Sequence, residues 1–206
     1  MWYFDFISPF AYLQLPRMRA LRDRVDITPT PIVFGAVLTH HGQLGPAEIA
    51  GKREFTYRFV QWQADSRGIR LRFPPEHPFN PLAALRLCIA AGSSWDAVAA
   101  LFDHIWRDGN SGANAAELVA VGSALGVADV VTAIGADNVK EQLRANTEQA
   151  IAAHVFGVPT LQIDGESFWG DDACAMIEAY LDDPTVFRSA EYRRIAQLPR
   201  GVERSR

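Results

Sequence analysis

The chain has 206 residues, 49% of them apolar and 21% charged, with a formal net charge of −4. That is ample material for a core, and the length suits one domain or a small domain carrying an insertion. The acidic balance gives no electrostatic reason to bind nucleic acid or anionic membrane, and no apolar run approaches membrane-span length.

Met1 to Phe6 is aromatic-rich and predicts a strand. It begins with no basic segment, apolar run and cleavage site, so a cytoplasmic location is expected. Ser8 follows as a natural N-cap, with Pro9 at the first helical position, where a missing N–H costs nothing. Ser8 Oγ then sits beside unpaired backbone N–H groups at the positive end of a helix dipole, a place that favours an anion such as a thiolate or phosphate. Taken alone, the Ser-Pro step reads as an ordinary cap.

Pro9 to about Arg24 predicts a helix kinked near Pro16, where an i→i−4 bond is lost. Val25 to Phe34 predicts a second strand at a sheet edge, because Pro29 and Pro31 interrupt it. Gly35 to Gly51 is a Gly/His-rich connection with a short helix. Arg53 to Ser66 has helical periodicity through Phe55, Phe59, Val60 and Trp62. Gly68 to Pro81 reads as a proline-rich loop, and three to five helices follow to about His154.

Val155 to Trp169 predicts a two-stranded hairpin around an Asp164-Gly165 turn. Pro159 stands at the strand entry, where a cis bond is usually deliberate. A cis Val158–Pro159 bond would take the Val158 backbone out of the ladder and offer it to an extended peptide. The plain alternative is a trans proline blunting an edge strand. Gly170-Asp171-Asp172 opens the final helix, where a ligand carboxylate meets backbone N–H groups or an Asp side chain meets an ammonium. An acidic capping turn is the bland alternative there. The five histidines lack ligand spacing with carboxylates or thiols, so no metal is expected.

In order, these segments resemble the 2-hydroxychromene-2-carboxylate isomerases and kappa-class glutathione transferases, relatives of DsbA. The resemblance is carried by Phe4-Asp5-Phe6-Ile7-Ser8-Pro9-Phe10, His41-Gly42-Gln43 with Gly45-Pro46, Lys52-Arg53 and His77-Pro78-Phe79-Asn80-Pro81. It continues in Phe156-Gly157-Val158-Pro159-Thr160 and Phe168-Trp169-Gly170-Asp171-Asp172, covering residues 2 to about 182. It implies an α/β, thioredoxin-like fold with a large inserted all-α domain. Residues 1–35 and 141–182 would form the thioredoxin-like domain, 36–140 the insertion and 183–206 a C-terminal tail carrying scattered arginines.

Dithiol enzymes of this fold carry Cys-x-x-Cys at the start of the first helix. Here Ser8-Pro9-Phe10-Ala11 stands there, and Cys88 and Cys174 lie elsewhere as small core residues. A serine forms no mixed disulfide, so dithiol exchange is excluded.

The resemblance implies glutathione as cofactor, with Ser8 as the catalytic residue hydrogen-bonding its sulfur. Val158 and Pro159 would meet the peptide backbone, and Gly170, Asp171 and Asp172 the γ-glutamyl end. Ala173 stands where the family often has arginine. Lys52, Gln43 and Asn80 would face the substrate, an aromatic hydroxy-acid. Asn80 and His77 have the alternative of only fixing their turn. The implied reaction interconverts 2-hydroxychromene-2-carboxylate and trans-o-hydroxybenzylidenepyruvate in naphthalene-type catabolism, in a homodimer. The rivals are a kappa-like transferase that consumes glutathione, and a non-catalytic thioredoxin-like binding module in which Ser8 only caps.

Overall fold

The structure, a computed structural model, describes residues 1–202. The chain opens with β1 (Trp2–Phe4), α1 (Pro9–Leu21) and β2 (Pro29–Pro31), and returns to the sheet only with β3 (Thr160–Ile163) and β4 (Glu166–Trp169). The strand order is β2-β1-β3-β4, with β1 parallel to β2, antiparallel to β3, and β3 antiparallel to β4. Between β2 and β3 run α2 (Phe34–His41), α3 (Ala50–Ser66), α4 (Leu82–Ala90), α5 (Trp95–Phe102), α6 (Ala115–Ala124), α7 (Val130–Gly135) and α8 (Asp137–Ala152). After the hairpin come α9 (Cys174–Asp182) and α10 (Ala190–Ala196). This is the expected mixed α/β architecture, a small sheet split around a long helical stretch.

The central strand explains much of the core. Trp2, Tyr3 and Phe4 are all buried. Trp2 stacks on Phe4 at 4.7 Å and on Trp95 of α5 at 5.7 Å, and Phe6 meets Phe102 at 4.7 Å. Burying each such ring is worth about 1.5–3 kcal/mol, with stacking geometry adding to it. The sheet and the helices after β2 therefore share a large apolar core, and Tyr3 packs in a second, smaller cluster with Val37, Ala150 and Val158.

Three expectations are revised. The second strand pairs only over Pro29–Pro31, not Val25 to Phe34, because its two prolines have no N–H for the ladder. Phe34 instead begins α2. Helix α1 continues through Pro16, which is exposed, and ends at Leu21, short of the expected Arg24. Gly170-Asp171-Asp172 opens not the last helix but a 3₁₀ turn (Asp171–Ala173) leading into α9, with α10 beyond it. The C-terminal segment thus holds a helix, and Phe187 before it stacks on Tyr180 at 5.9 Å. Residues 203–206 of the expected tail lie outside the described residues.

The hairpin turn has Asp164 at φ 50° and Gly165 at φ 87°, the two positive angles that a tight right-twisted hairpin needs.

Candidate active site

Ser8 caps α1 as its sequence implies. Its backbone is extended (φ −92°, ψ 111°), and its Oγ accepts from the Ala11 N–H at 3.3 Å. It is buried, with 6% of its surface exposed. Across from it lies Val158, joined to Pro159 by a cis peptide bond. Ser8 Oγ stands 3.5 Å from the Val158 carbonyl oxygen, the far limit of a hydrogen bond. Val158 belongs to no strand, and among the described residues nothing accepts from its N–H. The two features, 150 residues apart in sequence, therefore meet in space.

Several contacts hold this junction. Pro159 C=O accepts from Gly170 N–H at 2.8 Å, tying the strand entry to the acidic turn. Gln14, fully buried in α1, accepts from Trp2 Nε1 at 2.7 Å and donates to Gly170 C=O at 2.8 Å, so both ends of its amide are used. Gly157 passes under the Trp169 indole; a Cβ there would lie 2.4 Å from Nε1. Trp169 meets Phe156 edge-on at 5.1 Å, and both rings are exposed.

Asp5, at the end of β1, is fully buried. Its Oδ1 accepts from Ile7 N–H at 3.1 Å and its Oδ2 from Phe34 N–H at 2.9 Å, so one carboxylate ties the Ser8 turn to the start of α2. Burial pushes its pKa up to about 7, against the pull of the backbone N–H groups that it accepts from. His77 reaches the same turn from the proline-rich loop, with Nε2 2.9 Å from Ile7 C=O. Burial is the main cause that keeps its imidazole below the usual histidine range. The thiols carry no activation: burial raises Cys88 to about 12 and Cys174 to about 11.

The acidic turn divides its two carboxylates. Asp171, expected among the ligand contacts, is 4% exposed and meets Arg67 at 2.6 Å, so its side chain faces inward. Asp172 is exposed, and Gln63 Nε2 donates to its Oδ1 at 3.4 Å. Of the two carboxylates, only that of Asp172 is exposed. Among the described residues Gln63 Oε1 is buried and without a hydrogen-bond partner.

The expected substrate residues are more dispersed. Lys52 is exposed on the first turn of α3, with no ion pair among the described residues. Lys52, Phe55 and Phe59 share one helical stripe, and Phe59 lies 6.4 Å from Phe10, two residues beyond Ser8. Phe55, Phe59 and Trp62 stack along it at 5.8 and 6.0 Å. Gln43 is exposed just past the left-handed Gly42 that ends α2. Asn80 is exposed, and its Oδ1 accepts from Leu82 N–H at 3.1 Å, fixing the entry to α4. No hydrogen bond among the described residues joins these three to Ser8 or Val158.

Sequence reasoning assigned no role to Asp5, Gln14 or Gln63, and for His77 it named no specific contact beyond the alternative of fixing its turn. Asp5 carried a usable signal, since a carboxylate between two phenylalanines at a strand end is buried only with partners.

A family model described as DSBA-like thioredoxin domain matches residues 1–182. The chain is 28% identical over 183 residues to a 2-hydroxychromene-2-carboxylate isomerase of Pseudomonas sp. (strain C18), covering 85% of this chain and 86% of that protein. A protein of the same name from Sphingobium xenophagum is 28% identical over 188 residues, covering 88% and 96%. Glutathione s-transferase kappa 2 of Caenorhabditis elegans is 24% identical over 204 residues, covering 88% and 91%. Among solved structures, a 2-hydroxychromene-2-carboxylate isomerase superposes with a TM-score of 0.77 at 26% identity, covering 97% of this chain and 98% of that one. The cytosolic disulfide reductase DsbM of Pseudomonas aeruginosa shares the fold, with a TM-score of 0.55 at 16% identity, covering 88% and 97%. The chain belongs to the DsbA-like thioredoxin family.

Proposed function

We propose that this chain is a glutathione-dependent isomerase acting on 2-hydroxychromene-2-carboxylate or a closely related aromatic hydroxy-acid. The observation that carries the reading is Ser8 Oγ at the N-terminus of α1, facing a Val158 backbone that Pro159 takes out of the ladder. Relatives named as isomerases cover most of the chain and support the same reaction class.

The residues present fit glutathione. Among the described residues, Val158 N–H has no partner and its carbonyl has only a 3.5 Å contact, so an extended peptide backbone can pair there. Asp172 offers an exposed carboxylate for an ammonium group. When bound, glutathione supplies a thiolate for reversible addition to a conjugated carbon–carbon double bond. Ser8 Oγ donates a hydrogen bond at the sulfur position, and the N-terminal N–H groups and dipole of α1 favour negative charge there.

Magnitudes place Ser8 in proportion. Lowering a thiol from ~8.5 by ~2 units raises its ionised fraction about 25-fold, while nucleophilicity falls roughly 8-fold. Ionisation alone thus gives about threefold, and orientation supplies the rest, where positioned reactants gain ~10⁵ M or more. Lys52 provides a cation for the substrate carboxylate and the Phe55–Phe59 stripe an apolar wall beside it. Gln43 and Asn80 are assigned to the substrate's oxygen atoms, Asn80 through its amide nitrogen because its oxygen is engaged. A homodimer in the cytoplasm completes the proposal; light scattering across a concentration series tests the dimer.

The deciding experiment titrates glutathione into wild type and Ser8→Ala while recording thiolate absorbance near 240 nm. The expected result is binding with a thiolate signal that Ser8→Ala weakens about 10-fold or more. Absence of binding to wild type overturns the reading and leaves a non-catalytic module. The kappa relative motivates one alternative, a transferase. Stoichiometric consumption of glutathione during turnover would select it.

A further inference from the structure

The two peptide units before Ser8 have four polar groups, and each has a partner. Phe6 C=O accepts from Trp106 Nε1 at 2.7 Å, and Ile7 N–H donates to Asp5 Oδ1 at 3.1 Å. Ile7 C=O lies 2.9 Å from His77 Nε2, and Ser8 N–H donates to Asp5 C=O at 3.0 Å. The two N–H groups are held locally, by Asp5. The two carbonyls are held by side chains from the helical stretch, 70 and 100 residues away in sequence.

That long-range half is itself built. Trp106 sits in a π-helical segment (Asp103–Arg107) closed by the Asp108 N–H to Asp103 C=O bond at 2.9 Å. Such a segment adds one residue to the helix and turns the side chains after it, which aims Trp106 at Phe6. His77 stands edge-on to Phe73, Phe79 and Trp106 at 5.4–6.4 Å. Since a carbonyl only accepts, Nε2 carries the proton, and the neutral imidazole presents Nδ1 as an acceptor to Tyr57 Oη, 2.6 Å away; the same hydroxyl lies 2.7 Å from His77 C=O, so its one proton is shared between the two acceptors. Arg53 Nε donates to Tyr57 Oη at 3.1 Å, and its other nitrogen donates to His77 C=O at 2.9 Å. Arg53, Tyr57 and His77 therefore form one chain of donors ending on Ile7 C=O, and each bond polarises the next.

We infer that His77, backed by Tyr57 and Arg53, is a positioning residue for Ser8: with Trp106 it holds the peptide planes that set where Ser8 Oγ points. The catalytic part of this inference rests on the reading of Ser8 as the group that faces the thiol. The rigidity of the turn does not rest on it.

Two variants and two readouts test it. His77→Phe keeps a ring among the surrounding aromatics but removes the donor; His77→Gln retains a donor at the Nε2 position. In ligand-free protein, amide exchange at Ile7 and Ser8 is expected to quicken about 10-fold or more in His77→Phe and to return toward wild type in His77→Gln. With glutathione, His77→Phe is expected to lower the bound thiolate fraction and to slow turnover about 10- to 100-fold. Affinity for S-methylglutathione, which has no thiol, stays within about twofold, because the Val158 and Asp172 contacts remain. Should His77→Phe fail to fold, Tyr57→Phe frees the imidazole without leaving the carbonyl unpaired and is expected to move both readouts in the same direction.

Unchanged exchange at Ile7 and Ser8 overturns the inference. So does a fall in S-methylglutathione affinity that matches the fall in turnover, which marks a general structural role. If wild type binds no glutathione, the functional reading fails while exchange still decides whether the turn is held from His77.

Discussion

Asp5 is a carboxylate held where water cannot reach it, and its charge has a cost that depends on pH. Burial raises its pKa to about 7 in the folded chain, while the unfolded chain releases that proton at ~4. Between those values the folded state binds more protons, so stability falls as pH rises from about 4 through 7 and then levels. Asp5→Asn cannot ionise, and denaturant unfolding at pH 5 and pH 8 is expected to show a smaller decline for it than for wild type. Parallel profiles would show that Asp5 does not titrate in that window. Arg67 makes the opposite case, since it neutralises a carboxylate that is already inside. Arg67→Ala leaves Asp171 buried and unpaired, and the expected loss is about 1–3 kcal/mol, below that of a fully buried pair because Arg67 is partly exposed.

At the scale of elements, the hairpin shows what turn chemistry alone specifies. Gly165 has φ 87° and no atom within 4 Å of where a Cβ would stand, so Gly165→Ala costs conformation and no clash. About 1 kcal/mol of destabilisation is expected in urea titration. Gly157→Ala instead pushes against Trp169, and the exposed indole yields; a change in tryptophan fluorescence with little loss of stability is expected. These local features were legible in the sequence: the Asp-Gly turn, the Ser-Pro cap and the proline at the strand entry each follow from backbone rules over four residues or fewer. The prolines in β2 were legible too, but their effect on its length depends on which N–H groups face β1. What the sequence hid are the long-range pairs. Nothing near Asp171 announces Arg67, nothing near Ile7 announces His77, and α2 begins at Phe34 where its first N–H meets Asp5. Such contacts depend on the fold bringing distant side chains together, and periodicity does not encode them.

Across the whole molecule, the sheet and the long helical stretch bury most of their aromatic rings in one large shared cluster, Trp2 against Trp95 and Phe4 and Phe6 against Phe102, while Tyr3 packs in a smaller one with Val37 and Ala150. With that large cluster spanning the expected division at residues 36 and 140, one cooperative transition is expected, with near-UV and far-UV dichroism melting together. Phe102→Ala should lower stability by about 3–5 kcal/mol and leave that coincidence intact. Separate transitions would instead indicate two units that unfold independently. The position of β1 in the strand order has a consequence during synthesis. It can pair with β2 early, yet its other edge waits for β3, about 130 residues later between Pro31 and Thr160. At ribosomal speeds of ~5–20 residues per second that is roughly 6 to 26 s with an apolar strand edge uncovered. A nascent chain stalled before Thr160 should therefore be a better chaperone client, and a faster aggregator on release, than one stalled after the hairpin has emerged.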